Sequence, residues 1–190
     1  MHSLCCDWVA AAALLGGAAF AADKYTSDAH HTFASFEFNH LGYSTQRNRF
    51  DTVRATVVID RDNRTGLVEA TVDVASVSTG SASFNQTLQG PSFFDVATHP
   101  TITFRGTELG FDKFDHVSSV AGELTIKGVT QPVTLQVTQF KCMVHPLLRK
   151  PACGANATAK ISRSAFGLGK FAPLVGDEVT LHIAIEALKP

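Results

Sequence analysis

The chain has 190 residues, with 16 Lys and Arg against 17 Asp and Glu and a formal net charge of -1. A balance this even supplies no basic stripe for nucleic acid and no basic amphipathic helix for a membrane surface. Aromatic usage is lopsided, at 14 Phe against 2 Tyr and 1 Trp; rings without polar edges suit core packing or a lipid-like ligand better than sugars or bases.

In chain order, the first element is Trp8–Ala22, WVAAAALLGGAAFAA, an apolar run of 15 residues. A bilayer span needs about 20. The run ends in Ala19-Phe20-Ala21, the small-x-small pattern that signal peptidases cut. Residues 1–21 therefore read as a secretory signal, and residues 22–190 as one domain around one core. The preceding MHSLCCD departs from the usual signal start: it has no Lys or Arg and carries Asp7. Cys5 and Cys6 precede the apolar run instead of following it, which argues against a lipoprotein anchor.

From there the rhythm is period 2, the strand signal. Eight segments carry it, around residues 34–38, 53–59, 68–74, 101–105, 123–127, 133–138, 157–161 and 179–186. Each has one apolar and one polar face. In the second, Val53, Ala55, Val57 and Ile59 alternate with Arg54 and Thr56. Turn chemistry comes from Asp62-Asn63-Arg64-Thr65-Gly66 and Lys127-Gly128. One short helix is expected over Ser81 to Gln89, with Phe84 and Leu88 at i and i+4 and Gly90-Pro91 as a stop. A second helical turn is expected near Phe171 to Leu174.

Eight antiparallel strands, each with one apolar face, close best into a barrel, because closure removes exposed edges. The expected fold is all-β: an eight-stranded antiparallel, lipocalin-like barrel with the short helix at its mouth. Such a barrel either fills with side chains or holds one small ligand. A two-sheet sandwich would show the same alternation, and periodicity does not choose between them.

Beyond the signal two cysteines remain, Cys142 and Cys153. In an exported chain a close, even pair reads as one disulfide. His145 follows Cys142 by three residues, but two Cys and one His without a fourth ligand make a poor zinc site; no metal is expected. Catalytic constellations are missing as well. The 8 His are scattered, no HExxH or G-x-S-x-G is present, and the disulfide leaves no free thiol for nucleophilic work. The expectation is a protein that is not an enzyme and uses no cofactor.

At this point several stretches together carry a resemblance. They are HHTFASFEFNHLGYS (His30–Ser44), VDVASVSTG (Val72–Gly80), FFDVATHPTITF (Phe93–Phe104), GELTIKGVTQPVTL (Gly122–Leu135), ISRSAFGLGKF (Ile161–Phe171) and GDEVTLHIAIEA (Gly176–Ala187). In this order they resemble the YceI family of periplasmic polyisoprenoid-binding proteins. Two places depart from that pattern. SASFNQTLQG stands where many members carry a charged Arg-Asp-x-His-Leu stretch, and the Gly that many have before the strand near Phe50 is absent.

The resemblance implies an elongated barrel around an apolar tunnel for an isoprenoid chain, such as a ubiquinone or polyprenyl tail, in a periplasmic protein. Purposes that fit are lipid transport, storage or stress protection. The candidate tunnel residues are Phe36, Phe38, Phe84, Leu88, Phe93, Phe94, Ile102, Phe104, Leu135, Phe166 and Phe171; the plainer reading is that many of them simply fill the core. A polar head is expected at the open end, near His40, Tyr43 and Ser44 or Arg163 and Ser164. Alternatives stay open: capture of other lipophilic compounds such as antibiotics or fatty amides, a hydrolase or isomerase acting on a lipid, or a solid scaffold that binds another protein. The expected partner is a long apolar small molecule, with no nucleic acid and no transmembrane segment in the mature chain; a homodimer is also left open.

Overall fold

The computed structural model describes residues 22–190, so the secretory signal read at 1–21 lies outside the described residues. Among these the chain forms strands β1 (Asp23–Ser27), β2 (Phe33–His40), β3 (Ser44–Phe50), β4 (Val53–Asp60), β5 (Thr65–Asp73), β6 (Val77–Ser78), β7 (Thr101–Phe111), β8 (Val117–Ile126), β9 (Val129–Val144), β10 (Pro151–Ser162) and β11 (Val175–Leu188). One α-helix, α1 (Ala82–Gln89), lies between β6 and β7.

The strands close into the expected eight-membered antiparallel barrel. Its ring runs β1-β4-β5-β7-β8-β9-β10-β11 and returns to β1. The membership differs from the eight alternating segments in one place: β1 closes the ring, and the segment at 34–38 lies in β2, outside it. The long β11 serves both neighbours end to end. Its residues 175–184 pair with β2, while Ala187 and Leu188 pair with Ser27 and Thr26 of β1. The β2–β3 hairpin and the two-residue β6 extend the sheet beside the ring.

Local chemistry explains the joints. Ser81 caps α1, its hydroxyl accepting the Phe84 N–H at 3.4 Å. Lys127 and Gly128 both have positive φ, 51° and 74°, the type I′ geometry that suits a two-residue hairpin between Ile126 and Val129. Gly106 faces Gly122 across β7 and β8. A Cβ on Gly122 would lie 2.5 Å from the Gly106 Cα, so the two backbones approach too closely for a side chain at this bend. Residues 171–174 form turns and no helix; a short 3-10 turn occurs earlier, at Arg163–Phe166.

The connections gather at two ends. One end carries α1, the loop 90–100, the Lys127-Gly128 turn and the loop 167–174. The other carries the 61–64 and 112–116 turns, the 145–150 hairpin and β1. Cys142 and Cys153 sit directly opposite one another on β9 and β10 and form a disulfide.

Two predictions follow from this framework. Alkylation of the unreduced protein should label neither Cys142 nor Cys153, and reduction should lower stability by about 2–3 kcal/mol, the entropy of reopening a loop this short; labelling at Cys142 and Cys153 before reduction would contradict the bridge. The second concerns acid. Asp23 is held below its ordinary pKa chiefly by the Lys189 ammonium, Glu37 by Arg47, and Asp177 by the Ser162 hydroxyl. A depressed carboxylate contributes stability that is present above its unfolded pKa and lost as pH falls through its folded one. Denaturant melts should therefore weaken from about pH 4 downward, with Asp177→Asn flattening part of that slope.

Candidate functional site

A cavity of about 370 Å³ occupies the barrel interior, within the usual range of roughly 300–1,000 Å³ for ligand pockets. Strand alternation builds its wall. In β7, Ile102 and Phe104 are buried while Thr101, Thr103 and Arg105 are exposed, and the same pleat turns Phe36 and Phe38 of β2 and Leu135 of β9 onto the cavity.

The end of the barrel bearing α1 is shaped by two loops. The first coils over the C-terminus of α1: Phe94 N–H donates to the Leu88 carbonyl at 2.9 Å and Val96 N–H to the Gln89 carbonyl at 3.0 Å. This plants Phe94 against Phe36 and Phe50, with ring centroids 6.1 and 5.4 Å apart; Phe36 and Phe50 are themselves 5.5 Å apart. The second loop brings Phe171 to 6.5 Å from Phe93, and the Lys170 ammonium donates across the gap to the Ser92 hydroxyl at 3.1 Å. Phe171 lines the cavity yet is 58% exposed, which marks where the wall meets solvent.

Ten of the eleven candidate residues thus lie on one wall: Phe36, Phe38, Phe84, Leu88, Phe93, Phe94, Ile102, Phe104, Leu135 and Phe171. Phe166 does not. It is 1% exposed and buried in the core at the 3-10 turn, and Leu168, two residues on, reaches the cavity instead. Phe166 lies past the last alternating residue of β10, in a 3-10 turn that advances about 120° per residue, so strand alternation assigns it no inward position. Phe50 and Phe140 line the cavity without having been singled out. Phe50 closes the polar strand STQRNRF, and Phe140 lies beyond the segment whose alternation was clear.

The expected polar end is only partly assembled. His40 is on the wall, while Tyr43 is 88% exposed and off it. Arg163 reaches the wall, but its donors are committed. Nε donates to the Gly176 carbonyl at 2.8 Å, one Nη to those of Leu168 and Lys170, and the other to that of Val175 at 2.7 Å. Four of five N–H bonds are used on backbone carbonyls, two in the loop before β11 and two in its first residues. Burial pulls the guanidinium's pKa down from its ordinary value, opposed by the nearby Asp177 carboxylate. Arg163 is therefore the loop's clamp, a role that no spacing in the sequence announces. Ser164 is likewise occupied, its N–H and hydroxyl both donating to Asp177. Among the described residues no three His, Cys, Asp or Glu are grouped to share a metal ion, and no helix is long and apolar enough to cross a membrane.

Known proteins share this architecture. The model of the YceI-like domain family matches residues 25–187. The chain is 32% identical over 175 residues to Protein YceI of Escherichia coli O17:K52:H18, covering 91% of this chain and 90% of that one. It is 30% identical over 175 residues to a UPF0312 protein of Pseudomonas aeruginosa, with the same coverage. BcnA of Burkholderia cenocepacia, known from a crystal structure, superposes with a TM-score of 0.71 at 25% identity, covering 84% of this chain and 98% of its own. A polyisoprenoid binding domain from Saccharophagus degradans, implicated in plant cell wall breakdown, superposes with a TM-score of 0.61 at 17% identity, covering 87% and 98%; this last likeness is one of fold.

The clamp is testable. Arg163→Ala strands two carbonyls in the loop that carries Phe171 and two at the start of β11, and urea unfolding should show a loss of about 3 kcal/mol. Arg163→Lys can satisfy only some of them and should lose less. A neutral Arg163→Ala would show that the loop holds itself.

Proposed function

The chain belongs to the family of YceI-like domains, and on that footing we propose that it is a periplasmic binding protein that holds an isoprenoid lipid, a ubiquinone or polyprenyl tail, in its barrel cavity. The observation that carries this reading is the wall itself. Its sides are strands, and it is lined by Phe36, Phe84, Phe94, Phe104 and other apolar groups. An isoprenoid tail offers only C–H groups, so its affinity comes from apolar area removed from water, about 25 cal/mol per Å². The few polar groups on the wall are ill-suited to chemistry on such a tail: among the described residues its titratable groups are His40 and Arg163, and Arg163 is committed to the backbone. The fold likeness to a polyisoprenoid binding domain adds support. Export through residues 1–21 and a disulfide, a bond favoured in oxidising compartments, fit a periplasmic site of action.

Binding by burial predicts which part of a ligand matters. A quinone with a long isoprenoid tail should bind far more tightly than the same head without the tail, and moderate salt should change either affinity little, since screening acts on charges. Phe84→Asp places a carboxylate in the apolar wall, where it is strongly disfavoured; the variant should fold and lose the lipid. Extraction of protein purified from its native compartment, followed by mass spectrometry, reads the natural occupant. Equal affinity for the tail-less head, or full lipid loading of Phe84→Asp, would overturn the reading.

A further inference from the structure

The arm formed by β9 and β10 runs past its neighbour. The last pair between β8 and β9 is Ser119 with Gln136; among the described residues, 137–144 of β9 are laddered through β10 alone. At the tip of this arm Met143, Val144, Leu147 and Leu148 are 50%, 58%, 85% and 53% exposed. Single exposed apolar residues are ordinary, but a contiguous group marks an interaction site.

The tip is also held in place. The Cys142–Cys153 disulfide staples its base. His145 N–H donates to the Lys150 carbonyl at 2.7 Å, and Arg149 N–H to the His145 carbonyl at 2.9 Å. The His145 Nδ1 accepts the N–H groups of Leu147 and Leu148 at 3.2 and 3.1 Å. The backbone is satisfied internally, and the two leucine side chains are left pointing into solvent.

Charge says what the tip faces. Lys141, Arg149 and Lys150 surround it, all exposed, and none enters an ion pair among the described residues. The near-neutral total hides a local asymmetry: residues 137–150 carry Lys141, Arg149 and Lys150 and no Asp or Glu. Apolar side chains ringed by unpaired cations match the two layers of an anionic bilayer surface, acyl boundary below and phosphate above. A second copy would present the same positive sign and be repelled.

We propose that the β9–β10 tip docks on anionic phospholipid bilayers, with Leu147 and Leu148 entering the interface and Lys141, Arg149 and Lys150 meeting the headgroups. The tip and the cavity's opening beside Phe171 lie at opposite ends of the barrel. Docking thus tethers the protein and leaves the opening uncovered, and it does not depend on what the cavity holds.

The test is co-sedimentation with vesicles of phosphatidylcholine, with and without phosphatidylglycerol. The protein should sediment with the anionic vesicles, far less with the neutral ones, and be released by salt. Arg149→Gln with Lys150→Gln should weaken partitioning about 25-fold, roughly fivefold per cation. Leu147→Ser with Leu148→Ser should weaken it on the order of tenfold or more, while melting temperature and lipid loading of the cavity stay as in the parent. Should the leucine pair disturb folding, Leu147→Ser alone, at the most exposed position, gives the same readout. Failure to bind anionic vesicles, binding by both variants at the parent's strength, or a self-association abolished by the leucine change would each overturn the proposal.

Discussion

An apolar cavity inside a barrel rests on one constraint: the sheet around it has to close. An open edge would leave a row of unpaired N–H and C=O groups beside the cavity, and water would follow them in. Here closure falls to the shortest strand of the ring. β1 supplies five residues, yet it bridges β4 and β11. Its Tyr25, 5% exposed, packs with Cys153 and Ala187 and touches Cys142. The seam of the barrel and the disulfide-bearing arm therefore share one small core, and the integrity of the cavity is linked to the base of the hairpin.

The opposite end solves a different problem. The loops there have to leave an entrance without exposing their own backbone to the cavity. Phe94 is fixed through bonds between its loop and the end of α1, so the backbone is satisfied while the ring turns inward. The loop before β11 has no regular structure to satisfy its carbonyls, and Arg163 does so instead. A guanidinium stays charged even when partly desolvated, and its planar fork matches several acceptors at once. A cation in the wall is tolerated because the carbonyls of Leu168, Lys170, Val175 and Gly176 replace its water. A polar group on an apolar cavity is therefore no sign of ligand recognition until its bonds are counted.

What was legible in the sequence was what repeats. Val53-Ala55-Val57-Ile59 and Ile102-Phe104 announce their inward faces because two-residue periodicity and burial coincide. β3 hid for the reason that STQRNRF is polar on both faces until Phe50, and β1 because DKYTS has a single large apolar residue. Phe166 is buried in the core and Leu168 reaches the cavity because both lie in or beyond a 3-10 turn, where two-residue alternation no longer says which side chain faces inward. Whether the barrel is filled or hollow was not legible at all. It depends on how side chains from nine strands, a helix and two loops meet, a sum over contacts that no local pattern encodes. The tip of the β9–β10 arm escaped notice for the opposite reason: its meaning lies in exposure, and an exposed Leu147 is spelled like a buried one.

The two ends of the barrel answer to different variables. Burial of a hydrocarbon tail depends on apolar area and is almost blind to ionic strength. Attachment of a basic tip to phosphate headgroups is mostly electrostatic and is screened within about 10 Å at 0.1 M salt. Under these readings the protein can leave a membrane without leaving its lipid, and take up lipid without touching a membrane. That separation is available because the elements involved are distinct: Phe84, Phe94 and Phe171 at one end, Leu147, Leu148 and Arg149 at the other, joined by strands whose outward faces take part in neither.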